Sequence, residues 1–212
     1  MLPDVIPLFP LPNVVLFPRM PLPLHIFEPR YRAMVRDAAR GARLIGMVLL
    51  RGDWQSDYYG RPEIFAAGTV GEMVRVEELP DGRFNIVLRG LREYDVVREV
   101  DRAAYREAVV RWREPVAERL FAGMREAIGT LVRRYVALLG REIADGDLVR
   151  GTVDDETFVN FLAQHLDVGP LEKQAMLEAP TLVERARRLV DVLEFRVQEL
   201  LVHTTPSPGR AH

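Results

Sequence analysis

The chain of 212 residues contains no cysteine, which excludes disulfides and thiolate metal sites. Its four histidines, His25, His165, His203 and His212, show neither a His-x-x-x-His nor a carboxylate–histidine spacing, so a zinc site is not expected. Lysine is almost missing: Lys173 stands alone among 29 basic residues. Against 31 acids this gives a formal charge of −2, with no overall pull toward nucleic acid or an anionic membrane. No apolar run approaches the roughly 18 residues that would span a bilayer. The first basic residue is Arg19, and the early prolines would break a signal helix, so no secretory signal is expected. The expectation is a soluble, cytoplasmic protein.

Proline is abundant and unevenly placed. Eight of the 15 prolines fall in the first thirty residues, where they punctuate apolar runs. Proline cannot donate to a strand ladder and breaks helix interiors, so it confines strands to short pieces with fixed corners. The residues between (Val5–Leu8, Val14–Phe17, Leu22–Phe27) are strand formers that seek burial, and together they predict a small barrel. A Pro-x-x-Pro ligand is the competing reading of Pro7–Pro10 and Pro18–Pro21.

The rest of the first half is strand-like. Glu28 to Arg40 reads as a helix, with Pro29 suited to its first turn and Tyr31, Met34, Val35 and Ala38 on one face. Leu44–Leu50 is a continuous apolar strand, buried on both faces. Residues 51–62 form a polar loop, and 65–79 a long strand with Gly68 and Gly71 as bulge or close-approach points. Pro80-Asp81-Gly82 predicts a hairpin with a left-handed glycine. Gly90 is expected to break the returning strand before 94–100, and 108–112 completes an antiparallel set. From Pro115 the period changes. Leu120, Met124, Ile128, Leu131, Tyr135 and Leu138 predict one helix of about 24 residues, roughly 36 Å long. Further helices are expected from Asp154, from near Pro170, and behind the capping box Thr181-x-x-Glu184. The reading is therefore α+β: a β-rich domain over 4–114, an α-helical one over 115–202, and a frayed tail over 203–212. These later segments make the first thirty residues part of a domain, which disfavours the ligand reading.

Several stretches together resemble the N-terminal domain of the Lon protease family. They are Ile6-Pro-Leu-Phe-Pro-Leu with Val14-Val-Leu-Phe-Pro-Arg-Met-Pro-Leu, Gly68-Thr-Val-Gly, and Leu79-Pro-Asp-Gly-Arg-Phe-Asn-Ile-Val-Leu-Arg-Gly-Leu91. In the helical half they are Phe161-Leu-Ala-Gln-His-Leu, Glu172-Lys-Gln-Ala-Met-Leu-Glu and Glu184-Arg-Ala. The resemblance covers residues 4–202 and implies a PUA-like antiparallel β-barrel followed by a C-terminal helical bundle. It also implies a role in substrate recognition and protein quality control. The catalytic parts of that family are missing. No Gly-x-x-x-x-Gly-Lys-[Ser/Thr] occurs, since the one lysine is followed by Gln174, and Ser56 and Ser207 lack the context of a Ser–Lys dyad. The expectation is a stand-alone, non-enzymatic, polypeptide-binding module, without cofactor or metal.

For the binding surface, the aromatic residues of the polar loop, Trp54, Tyr58 and Tyr59, either fold back onto the barrel or serve as exposed anchors. Phe17, Met20 and Leu22 are candidates for a neighbouring groove, with core packing as the competing reading. His25 reads as a strand-edge or core histidine, and His165 as a helix C-terminal residue. Asp145-Gly-Asp147 reads as a turn, because Val149 stands where a calcium loop needs an oxygen ligand. Between Arg92 and Arg119 seven arginines face seven acids. That balance suits cross-strand ion pairs, and nucleic acid is not expected as a partner. The alternative function is an RNA- or small-ligand-binding PUA-like sensor, and a third is assembly as a homodimer through the helical half.

Overall fold

The computed structural model describes residues 2–58, 60–101, 103–114, 118–141 and 153–204. Among these residues lie six strands: β1 (Val5–Leu11), β2 (Pro21–Ile26), β3 (Leu44–Leu50), β4 (Ile64–Glu78), β5 (Phe84–Val100) and β6 (Glu107–Trp112). The described helices are α1 (Pro29–Arg40), α2 (Met124–Leu138), α3 (Asp155–His165), α4 (Pro170–Leu177) and α5 (Leu182–Thr204). Two compact units result. One comprises Met1–Pro115 with Ala163–Glu178, the other Val116–Leu162 with Ala179–His212. The composition change at Pro115 thus falls at a unit boundary. Residues 163–178, however, belong with the strands, whereas the sequence reading put all of 115–202 in the helical domain. Helical periodicity identifies a helix but not the neighbour it packs on.

In the β unit, β5 pairs with β4, β4 with β3, β3 with β1, β1 with β6, and β6 again with β5, so five strands form a closed circuit. β2 is added to the first half of β5, from Pro21↔Arg89 to Ile26↔Phe84. The all-antiparallel expectation needs correction, because β1 and β3 run parallel, in register Leu8↔Gly46 to Leu11↔Leu49. A parallel pair needs a long crossover, and β2 with α1 supply it. Val14–Phe17 is not a strand either; the chain turns there, with Arg19 at φ 69 and the Met20 N–H donating to the Phe17 carbonyl at 3.2 Å. Nor does Gly90 break β5. It is where the Phe17 turn crosses, since a Cβ there would lie 2.2 Å from the Phe17 oxygen. The hairpin does carry Gly82 in the left-handed region, at φ 76.

Ile6, Leu8, Leu44, Val48, Val70, Tyr94, Ala108 and Val110 fill the interior of the circuit. Tyr94 is fully buried, donates its hydroxyl to the Met47 carbonyl at 3.0 Å, and meets Trp112 edge-on at 6.1 Å. A Cβ at Gly68 would stand 2.4 Å from that carbonyl and 2.6 Å from the Tyr94 oxygen, so only glycine leaves room for the ring. Outside the circuit, α1 presents the predicted face of Tyr31, Met34, Val35 and Ala38, with the Tyr31 ring 4.4 Å from Phe9 of β1. α4 lies against β4, where the Gln174 amide donates to the Ala67 carbonyl at 3.1 Å. Arg113 donates to the Leu177 carbonyl at the end of α4, at 3.3 Å, and pairs with Asp95 at 2.8 Å.

In the helical unit α2 packs along α5, whose buried stripe is Leu182, Ala186, Leu189, Leu193 and Val197. The expected 24-residue helix is shorter: α2 has 15 residues and starts after Gly123 at φ 82. Leu120, counted in the periodic stripe, precedes it and donates its N–H to Asp155 at 3.0 Å. The Glu184 N–H finds the Thr181 hydroxyl at 3.1 Å, as the capping box requires. α5 extends to Thr204, so the expected tail begins later than 203, and residues 205–212 lie outside the described set, as does Asp145-Gly-Asp147.

Three outcomes test this fold. Gly68→Ala should cost upwards of about 2 kcal/mol by overpacking against backbone. Tyr94→Phe should cost about 1 kcal/mol by removing the buried bond to the Met47 carbonyl, lowering the melting temperature by a few degrees. The third outcome concerns acid. Burial works to raise the Asp95 carboxyl, but hydrogen bonds and charges from Arg113 and Arg111 outweigh it and hold the group below its ordinary value. The stability it contributes is present above that ordinary value, near pH 4, and is lost as pH falls through the lowered one. Asp95→Asn should therefore melt earlier than the parent at pH 7, with the gap closing toward pH 3.

Candidate functional site

The polar loop between β3 and β4 is folded back and clasped at both ends. One 3-10 turn, Trp54–Asp57, brings the Trp54 and Tyr58 rings to 6.0 Å, edge to face. The Tyr58 hydroxyl donates to Glu28 at 2.8 Å, and the other Glu28 oxygen accepts from Arg30 Nε at 3.0 Å. Arg30 also donates to the Tyr58 carbonyl at 3.3 Å, and its guanidinium lies 4.7 Å from the Tyr31 ring centre and 5.5 Å from that of Tyr58. At the far end the buried Arg106 donates to the Pro62 carbonyl at 2.8 Å while forking onto Glu99 at 2.6 and 2.7 Å. Burial and the Glu28 hydrogen bond raise the Tyr58 phenol above its ordinary value. Trp54 and Tyr58 stay half-buried, so the fold-back reading describes them better than free exposure does. Tyr59 lies outside the described residues.

Phe17 and Met20 do not form a groove. They are 0% and 3% exposed, and the Phe17 N–H is taken by the Gln164 side chain at 3.1 Å. The turn that carries them points their side chains inward, so the core reading replaces the surface one.

A second feature lies on the outer face of β2, β5 and β4. A shallow depression of about 450 Å³ is lined by Pro23, Leu24, His25, Arg75, Glu77, Asn85, Ile86 and Val87. The register explains it. Pro23 sits opposite Val87, and His25 opposite Asn85, while Arg75 pairs with Val87 and Glu77 with Asn85 from the other side. Two rows of side chains thus cross three strands: Pro23, Val87 and Arg75 in one, and His25, Asn85 and Glu77 in the other, each ending in a charge at β4. His25 is held by Asn85 Oδ1 at 2.8 Å on Nδ1 and by the Arg83 guanidinium at 3.3 Å on Nε2, an arrangement satisfied by imidazole with its proton on Nδ1. Phe27, 60% exposed, stacks beside it at 6.3 Å. Sequence reasoning missed this surface. Its signal was the alternation Pro21-Leu-Pro23-Leu-His25, which puts every second residue on one face.

The chemistry of these two surfaces is that of contact. Among the described residues no group of three or more His, Asp or Glu is placed to hold a metal. The expected cross-strand ion pairs are present, as Arg111 with Asp95 at 3.1 Å and Arg92 with Glu114 at 2.9 Å. No described helix is long and apolar enough to cross a membrane.

The fold is that of Lon N-terminal domains. A solved structure of a Lon N-terminal domain protein from Xanthomonas campestris superposes with TM-score 0.66 at 25% identity, covering 88% of this chain and 97% of that one. The N-terminal domain of the Mycobacterium avium complex Lon protease matches in fold at TM-score 0.69 and 18% identity, over 90% and 98% of the two chains. A family profile described as the ATP-dependent protease La (LON) substrate-binding domain matches residues 5–194, and the chain belongs to this family. Lon protease 2 of Myxococcus xanthus is 30% identical over 205 residues, which are 94% of this chain and 24% of that protein. The Lon protease of Cytophaga hutchinsonii is 25% identical over 203 residues, 93% and 25% of the two. The chain spans about a quarter of the length of these relatives. The matched part is the substrate-binding module and not the ATPase or the peptidase.

The clasp makes a direct expectation. Tyr58→Phe removes the donor to Glu28 and should free the loop, raising quenching of Trp54 fluorescence by iodide while global stability changes by less than about 1 kcal/mol. Because the phenol is the donor, the parent should show the same gain only as pH rises past the ordinary tyrosine value of about 10.

Proposed function

We propose that this chain is a non-enzymatic recognition module that binds exposed apolar segments of polypeptide, in the cytoplasm, through the outer face of β2, β5 and β4. The observation that carries this is the shallow depression in which Pro23 and Val87 meet on that face, with Phe27 exposed beside it, in a chain of a substrate-binding family. The closed circuit of strands is then the PUA-like β-barrel implied by the resemblance, and α2, α3 and α5 its helical bundle. An apolar face with a polar and charged rim is the anatomy of a protein-binding surface. Trp54 and Tyr58 form a second patch of the amphipathic rings that anchor partners. No observation favours the RNA reading, since the arginines near these surfaces face acids: Arg83 with Asp81 at 2.6 Å, Arg36 with Glu78 at 3.0 Å and Arg89 with Glu72 at 3.0 Å.

The test is capture of a permanently unfolded client, such as a reduced and alkylated secretory protein, measured by fluorescence anisotropy. Val87→Asp should weaken binding about tenfold or more by placing a charge in the depression, with the melting temperature unchanged. Trp54→Ala reports separately on the loop patch. If the parent binds no unfolded client, or Val87→Asp binds like the parent, the proposal fails.

A further inference from the structure

β2 is an edge strand: among the described residues its one strand partner is β5. Such an edge ordinarily exposes alternating N–H and C=O groups, which invite another chain to add a strand. Which residues of β2 face the open side follows from one hydrogen bond and the register. The Gly90 N–H donates to the Met20 carbonyl at 2.9 Å. Pairing then runs Pro21↔Arg89, Leu22↔Leu88, Pro23↔Val87, Leu24↔Ile86 and His25↔Asn85. In an antiparallel ladder hydrogen-bonded pairs alternate with non-bonded ones. Residues 20, 22, 24 and 26 therefore bond to β5, and 21, 23 and 25 turn their backbone groups to the open edge. Two of those three are proline. They are not corners, because each sits inside the strand with a paired residue opposite.

The consequence is an edge that accepts but hardly donates. A strand laid against it would find the carbonyls of Pro21, Pro23 and His25 as acceptors. Its own carbonyls opposite the two pyrrolidine rings would find no N–H, and a desolvated carbonyl left unpaired costs more than a made hydrogen bond returns. We propose that Pro21 and Pro23 determine the mode of recognition on this surface: they close the β2 edge to backbone pairing, so that a polypeptide is held by its side chains on the sheet face and not as an added strand. The spacing of two is what the device requires, since prolines one residue apart from this register would remove ladder donors to β5 and unseat the strand. The same two residues are exposed on the outer face, and Pro23 lines the depression, so one pair of rings offers apolar contact while withholding backbone donors. The statement about polypeptide rests on the recognition role proposed above. The statement about the edge does not.

The experiment has two arms. In the first, Pro21 and Pro23 are both replaced by threonine (P21T/P23T), restoring two edge donors in strand-forming residues. The probe is a labelled synthetic peptide of residues 83–90, the natural antiparallel partner of β2. The variant should bind this peptide about tenfold tighter than the parent, the gain expected from two new hydrogen bonds. An unchanged affinity in a variant that melts cooperatively overturns the proposal. In the second arm, amide exchange is followed residue by residue in the parent, so the result does not depend on the variant folding. Leu22 and Leu24 should be protected, and His25 should exchange like an open amide. A His25 amide protected as strongly as that of Leu24 overturns the proposal. Failure of the parent to bind any unfolded client would remove the recognition role and leave both arms readable.

Discussion

The β unit depends on one buried phenol. Closing five strands into a circuit leaves an interior that side chains must fill, and Tyr94 reaches across it to the Met47 carbonyl. The ring is large and its polar tip has to be satisfied where water is excluded. Met47 supplies the acceptor through its main chain, so the bond also fixes the position of β3 relative to β5. Gly46 and Gly68 flank the hydroxyl on β3 and β4, each with the Tyr94 oxygen closer than 3 Å to where a Cβ would sit, at 2.8 and 2.6 Å. Three strands are thereby set by one side chain and two absent ones.

Helix α4 is the second dependency. It reaches the strands through polar contacts that the sequence marks plainly in hindsight. Gln174 of α4 donates to Ala67 of β4, and the lone lysine donates from Nζ at 2.7 Å to the carbonyl of Gln164 in α3, whose side chain accepts the Phe17 N–H. Burial pulls the Lys173 ammonium below its ordinary value, with Asp167 opposing. A compact ammonium suits a single short bond to the last turn of α3, where a guanidinium would demand more partners. These residues lie in Phe161-Leu-Ala-Gln-His-Leu and Glu172-Lys-Gln-Ala-Met-Leu-Glu, two of the stretches that resemble the Lon family. Part of what is characteristic in those stretches is therefore a fastening of helix to sheet and not a binding site.

What could be read from the sequence was local. The face of α1, the apolar β3, the Gly82 hairpin and the Thr181 capping box each rest on contacts within a few residues, and each is found as expected. What could not be read depends on partners distant in sequence. Gly90 has the residue type of a strand breaker, yet it admits the Phe17 turn from seventy residues earlier and β5 passes through unbroken. The parallel pairing of β1 with β3 is invisible to alternation, which reports faces and not direction. Of the candidate site residues, Phe17 and Met20 are apolar enough to read either as core or as surface, and the Arg19 turn turns them inward. The depression on β2, β5 and β4 needed the register, since its apolar members come from two strands sixty residues apart.

If that surface holds a polypeptide as proposed, its form limits how tightly it can do so. Its floor is rigid, because Leu88, Ile86 and Met73 on the inner side of the same strands are buried, so little ordering of the module accompanies binding. The ordering falls on the client, at about 1–2 kcal/mol for each backbone residue fixed. A fully buried apolar side chain returns about 1.5–3 kcal/mol, and a shallow depression buries such a chain only in part. Two or three anchors therefore do little more than offset the residues they immobilise, and contact through side chains alone adds no cooperative ladder. Selectivity at such a site comes from the density of apolar side chains in a flexible segment and not from a particular sequence. On the proposed reading, useful retention would come from several weak contacts acting at once, as when one client engages the Phe27 side and the Trp54 loop together.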